Sequence, residues 1–128
     1  MGGHRVLIVE DSPAMRELVA SALARIPDVE AWDEAADGGE ALQKLAAQKY
    51  SAAIVDINLP VLDGLKLIEH IRNNPVTKNV GIVVMTTNIA SSDRVRAMEL
   101  GADAYLLKPI QAGEFVEALA RAVQRAKT

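Results

Sequence analysis

The chain contains no cysteine. Disulfides and thiolate metal sites are therefore excluded, and the composition is compatible with a reducing cytoplasm. Aromatic residues are scarce, with one Trp, two Tyr and one Phe, so no platform exists for stacking bases. Neither sign of charge dominates: 14 basic residues stand against 17 acidic ones, for a net charge of −3. There is no basic field to attract nucleic acid, and no direct nucleic-acid contact is expected. No apolar run approaches the roughly 20 residues that span a bilayer, and the N-terminus lacks the apolar stretch of a signal peptide. The expectation is a soluble, cytoplasmic protein with no membrane contact. Internal repeats, low-complexity stretches and interdomain linkers are also missing. What remains is a chain of 128 residues, half of them apolar, the size of one domain over residues 1–128 with a substantial core and no room for a second unit.

Short apolar runs alternate five times with stretches of helical period. Strands are predicted over Arg5 to Val9, Val29 to Glu34, Ala52 to Asp56, Val80 to Met85 and Ala104 to Leu107. Three of these runs are almost wholly apolar, as in a parallel sheet covered on both faces by helices. The second alternates, which places it nearer an edge. Met15, Leu18, Val19, Ala22, Leu23 and Ile26 mark the first helix, with Ser12 as its cap and Pro13 in its first turn. Asp37 and Glu40 resemble a capping box ahead of Ala41, Leu42 and Leu45. A third helix follows Gly64 with Leu67, Ile68 and Ile71, and Pro75 lies beyond its end. A short polar helix runs from about Ser92 to Leu100 and is closed by Gly101. The last starts near Gly113 and carries Phe115, Leu119, Val123 and Ala126 on one face. Five strands alternating with five helices predict an α/β fold with a doubly wound, five-stranded parallel sheet.

Chemistry gathers where the strands end. Asp56 closes the run Ala52-Ala53-Ile54-Val55, and Glu10 and Asp11 close Val6-Leu7-Ile8-Val9. If those strands are neighbours, three carboxylates converge at the carboxyl edge of the sheet, where open α/β proteins bind ligands. Such crowding calls for a cation or a proton, and the all-oxygen donor set suits a hard divalent metal. Thr86 and Thr87 follow the fourth strand, and Lys108-Pro109 follows the fifth. A carboxylate nucleophile, a metal, a hydroxyl and an ammonium around one point suit phosphoryl transfer, which needs charge neutralised on the phosphoryl oxygens and an in-line approach.

The strings VEDSP, DINLPVLDG, MTT and YLLKP resemble, in order and spacing, those of the receiver domain of bacterial two-component response regulators, most closely the stand-alone chemotaxis type. Asp56 and Lys108 lie 52 residues apart, and Thr86 and Lys108 lie 22 apart, as in chemotaxis receivers. The resemblance covers essentially the whole chain and implies a flavodoxin-like (βα)5 fold. It implies that Asp56 is the phosphoacceptor and that Mg²⁺ is bound by the side chains of Asp11 and Asp56 and the main-chain carbonyl of Asn58, with Glu10 acting through a water. Thr86 would bond one phosphoryl oxygen and Lys108 another, the lysine being aimed by a cis peptide to Pro109. Tyr105 would be a switch residue coupled to Thr86, and Asp63-Gly64 would shape the loop after Asp56. The implied partners are a sensor histidine kinase or phosphotransfer protein, and an output protein recognised through the face of helix four, strand five and helix five. That face includes Ile89, Arg94, Val95, Met98, Leu107 and Arg121. The chain would be a switch rather than an enzyme, with at most slow self-catalysed gain and loss of phosphate.

Thr87 departs from the family, which usually has Ala or Gly there; a β-branched side chain should narrow the opening to the acyl phosphate. An aspartyl-phosphate phosphatase commonly carries a second acid two residues after its nucleophile, and Asn58 stands there. A flavin carrier needs a phosphate-cradling loop after the first strand, and Glu10-Asp11 would repel one. A receiver taken from a longer regulator with an output domain is the alternative within the family. His4 and His70 are expected to be solvated, and Trp32 to pack at a sheet edge.

Overall fold

The computed structural model describes residues 3–87 and 91–126. Five strands, β1 (His4–Val9), β2 (Val29–Ala35), β3 (Ala52–Val55), β4 (Gly81–Thr86) and β5 (Ala104–Leu107), alternate with α1 (Pro13–Ala24), α2 (Gly38–Ala47), α3 (Gly64–Asn73), α4 (Ser91–Leu100) and α5 (Ala112–Ala126). All pairings are parallel and the strand order is β2-β1-β3-β4-β5. This is the doubly wound sheet that the alternation predicts, in the flavodoxin-like form that the resemblance implies. Its order reverses between β1 and β3, the point at which such sheets bind ligands. The alternating strand β2 lies at the edge, as its pattern implies, and β3 is central.

The period of two along each strand divides the core. Leu7, Val9, Ala53, Val55, Ile82 and Val84 face one side and pack with Ala41, Leu45, Leu67, Ile68, Ile71 and Ala97 from α2, α3 and α4. Val6, Ile8, Ala52, Ile54, Val83 and Met85 face the other and pack with α1 and α5 through Val19, Leu23, Phe115, Leu119 and Val123. β1, β3 and β4 are buried on both faces, so their apolar runs supply two cores at once.

The predicted caps form. Ser12 accepts from the Met15 N–H at 3.2 Å, and Asp37 accepts from Glu40 N–H at 2.8 Å. Asp63 caps α3 through Lys66 N–H at 3.0 Å. Gly101 ends α4 with φ +112°, a conformation that glycine adopts without penalty. Three side chains depart from expectation. Leu18 is exposed although it lies on the apolar stripe of α1; the stripe is wider than the contact with the sheet, and its outer margin borders a surface groove with Ile110 and Val116. Ala126 is exposed at the last turn of α5, past the edge of the sheet. His4 is half-buried, its Nδ1 2.9 Å from Ser51 Oγ, because the strand starts one residue earlier than the predicted Arg5. His70 is exposed and Trp32 is half-buried against the α1–α5 layer.

The amino edge of the sheet is tied together by Arg72, which the sequence reading did not single out. Its guanidinium donates to the carbonyls of Lys78, Val80 and Gly101 and to Asp103. Asp103 in turn accepts from Ile82 N–H and Arg125. Burial, with Arg125 adding to it and Asp103 opposing, lowers the Arg72 pKa to about 10. No helix among the described residues is long and apolar enough to cross a membrane.

Candidate functional site

At the opposite, carboxyl edge of the sheet, the ends of β1 and β3 are held side by side. Asp56 N–H donates to Val9 O at 3.1 Å, and Glu10 N–H donates to Ala35 O at 3.0 Å. One carboxylate oxygen from each of Glu10, Asp11 and Asp56 lies within 4.8 Å of the others. Their environments differ: Glu10 and Asp56 are buried, whereas Asp11 is exposed. Asp56 Oδ1 accepts from Asn58 N–H at 3.0 Å, which turns the loop back over the strand end.

Lys108 reaches this group from the neighbouring edge. Its main-chain N–H donates to Thr86 O at 2.9 Å, so the end of β4 sets where the lysine begins. Its Nζ donates to Glu10 Oε1 at 2.7 Å and to Asp56 Oδ2 at 2.9 Å. The Lys108–Pro109 peptide is cis. Burial pushes the ammonium pKa down, but the bonds and attraction to Glu10 and Asp56 outweigh it and hold it above the ordinary lysine value. Glu10 is held above the usual carboxylate range by burial, reinforced by Asp11 and Asp56 and opposed by Lys108 and Ser12 N–H. Glu10, expected to act through a water, thus spends Oε1 on Lys108 and Oε2 on Ser12 N–H at 3.1 Å. A glutamate's extra methylene lets one side chain span both.

Thr86 is fully buried as the last residue of β4, and Thr87 beside it is exposed. Gly64 explains itself by contact: a Cβ there would fall on the carbonyl oxygen of Asp56, so α3 can start this close to the site only with glycine. Val61 in the same loop has φ +69°, a left-handed conformation rare for a β-branched residue. Tyr105 is half-buried on β5, and burial, aided by Asp93, raises its hydroxyl pKa. With Arg94, Met98 and Arg121 it lines a hollow of about 200 Å³ between α4 and α5. Val95, Met98 and Leu107 are exposed on that face; Ile89 lies outside the described residues.

Arg16 was missed in the sequence. Its Nη1 donates to Glu10 O at 2.7 Å and its Nε to Glu34 Oε1 at 3.0 Å. A signal was present: a cation near the start of a helix sits at the positive end of the macrodipole, so a local reading leaves it without a reason to be there.

The donor set is all oxygen, three carboxylates with a main-chain carbonyl in the adjoining loop, and fits Mg²⁺. A family model for the response regulator receiver domain matches residues 6–120. The chain is 37% identical over 128 residues to a protein-glutamate methylesterase/protein-glutamine glutaminase of Caulobacter vibrioides, covering 99% of this chain and 37% of that protein. It is 33% identical over 122 residues to a gliding motility regulatory protein of Myxococcus xanthus, covering 94% of this chain and 15% of that protein. The chain thus spans less than half the length of these curated relatives. Among solved structures, the receiver domain of a sensor histidine kinase from Pseudomonas aeruginosa, with magnesium coordinated in its active-site cleft, matches with TM-score 0.84 and 30% identity, over 96% of this chain and 99% of that one. A CheY-like receiver domain protein from Methanospirillum hungatei matches with TM-score 0.86 and 25% identity, over 98% of both chains. A site of three carboxylates and a lysine at the β1–β3 switch point, in a chain matched along nearly its whole length, leaves one conclusion: this chain belongs to the response regulator receiver domain family.

Proposed function

We propose that the chain is a phosphorylation-dependent switch that takes a phosphoryl group onto Asp56 from the phosphohistidine of a sensor histidine kinase or phosphotransfer protein. The observation that carries this reading is the convergence of Glu10, Asp11 and Asp56 with Lys108 Nζ bonded to two of them. A carboxylate oxygen of Asp56 forms the new P–O bond while the P–N bond to the donor imidazole breaks and its electron pair stays with the ring. Asp11, Asp56 and the Asn58 carbonyl would hold Mg²⁺, with Glu10 beside it. When bound, the ion neutralises charge on the phosphoryl oxygens. Lys108 supplies a second positive charge, and Thr86 a hydroxyl donor, to the same oxygens.

A phosphoryl group displaces the balance between two conformations only by bonding better in one of them. Thr86 drawn to the phosphoryl oxygen and Lys108 released from Glu10 are the local changes. Thr86 ends β4 in register with Leu107, and Lys108 follows β5, the strand that carries Tyr105; through Tyr105 the α4-β5-α5 face would change its affinity for an output protein. The absence of an acid at Asn58 favours a switch over a phosphatase, and a cytoplasmic location fits the same role. The curated relatives are longer than this chain, and a receiver joined to an output domain in the natural protein is the alternative reading within the family. Incubation with Mg²⁺ and a small acyl phosphate should add one phosphoryl mass to the intact protein and none to Asp56→Asn. An adduct of equal yield in that variant would place the acceptor elsewhere.

A further inference from the structure

We propose that Arg16 is a positioning residue for the metal ligand Asp11, acting through the main chain of Glu10; this rests on the metal-site reading above. Glu10 is held at four points. Its N–H bonds Ala35 O at 3.0 Å, its two carboxylate oxygens take Lys108 and Ser12 N–H, and its carbonyl accepts from Arg16 Nη1 at 2.7 Å. The carbonyl of Glu10 and the N–H of Asp11 belong to one planar peptide. Fixing the carbonyl therefore sets the direction in which the exposed Asp11 leaves the strand. Asp11 itself is exposed and belongs to neither buried core cluster of the described residues.

Arg16 is itself anchored. Its Nε donates to Glu34 Oε1 at 3.0 Å, and Glu34 lies in register with Ile8 on the adjacent strand. The Glu34 carbonyl accepts from Lys44 Nζ at 2.7 Å, which ties the edge strand to α2. The planar fork of a guanidinium can serve the carbonyl and the carboxylate together, in fixed relative directions, which a lysine ammonium cannot reproduce. The Arg16–Glu34 pair alone does little for stability, since Glu34 is 43% exposed and surface pairs contribute little. Its place near the helix N-terminus is locally unfavourable. The return is the ordered peptide ahead of Asp11.

The sign of the effect separates this role from charge. Arg16 is a cation close to a cation site, so electrostatics alone makes Arg16→Ala bind Mg²⁺ more tightly. Positioning makes it bind more weakly. Calorimetric titration with MgCl2 on the full chain should show affinity reduced by about tenfold in Arg16→Ala, the low end for loss of a group that orients a ligand. Arg16→Lys keeps the charge, loses the fork and should show a smaller reduction in the same direction. The Asp11 amide resonance should move in both variants before metal is added. The rate of labelling by a small acyl phosphate should recover at saturating Mg²⁺, shifting the half-saturating concentration rather than the plateau. Unchanged or tighter Mg²⁺ binding in folded Arg16→Ala overturns the proposal. If that variant does not fold, parent-like Mg²⁺ binding by Arg16→Lys overturns it equally. Asp11→Ala keeps the two ideas apart: parent-like binding there would refute the metal site itself, whereas weakened binding there with parent-like Arg16 variants would refute only the role of Arg16.

Discussion

Removing the Lys108 ammonium should make the fold depend on Mg²⁺. Nζ lies 2.7 Å from Glu10 and 2.9 Å from Asp56, and the three side chains are 15%, 1% and 7% exposed. Hydrogen bonds to charged groups contribute about 1.5–3 kcal/mol each, so two give roughly 3–6 kcal/mol before the cost of desolvating the ammonium is returned. We expect Lys108→Ala to lose about 2–3 kcal/mol in the presence of a chelator, or about 6–12 °C in melting temperature for a domain of this size. Mg²⁺ should restore much of it, because the ammonium and the metal relieve the same carboxylates. A ligand that binds only the native state stabilises as the logarithm of its concentration over its dissociation constant. The stabilisation by a fixed Mg²⁺ concentration should therefore be larger in Lys108→Ala than in the parent, and titration should show tighter binding. The assay is denaturant or thermal unfolding of both forms with chelator and with Mg²⁺. Equal Mg²⁺ increments, together with a loss below about 1 kcal/mol in chelator, would refute Lys108 as the counter-ion of the metal-free site.

Val61, exposed and at φ +69°, holds a conformation that costs a residue with a Cβ roughly 1–2 kcal/mol; Val61→Asn, which tolerates it, should raise stability by about 1 kcal/mol in urea unfolding, and no gain would show that the loop relaxes. Tyr50 is buried and donates to Asp33 at 2.7 Å, and burial followed by Asp33 raises its pKa above the ordinary 10.0. The unfolded chain therefore gives up this proton first, so its contribution to stability is complete below that value and is lost as pH rises beyond it. Tyr50→Phe should unfold more easily near neutrality yet lose less stability between about pH 9 and about pH 11; parallel losses in both forms would contradict this. Thr87 is exposed next to the buried Thr86, and its β-branched side chain would hinder water approaching in line with the Asp56 oxygen. Phosphate loss at saturating Mg²⁺ should be several-fold faster in Thr87→Ala, and an equal or slower decay would exclude shielding.

How much could be read beforehand follows from what is local. The two-sided burial of Val6–Val9, Ala52–Val55 and Ile82–Met85 was legible because a strand covered on both faces has no reason to alternate, and the edge position of β2 because its residues do. Ser12, Asp37 and Gly101 declared their helix ends through bonds that span three or four residues. The meeting of Asp56 with Glu10 needed only the inference that β1 and β3 are neighbours. Tertiary structure decided the rest. Leu18 fits the helical period yet stays exposed, since a period marks a face and not the width of what packs on it. Arg72 and Arg16 look like ordinary surface cations, because their acceptors include backbone carbonyls, which every residue carries and no sequence distinguishes. The different surroundings of the acids arose in the same way. Glu10 is buried against Lys108, 98 residues away, and Asp11 is turned to solvent, so two adjacent carboxylates are given different environments by the chain segments that happen to surround them.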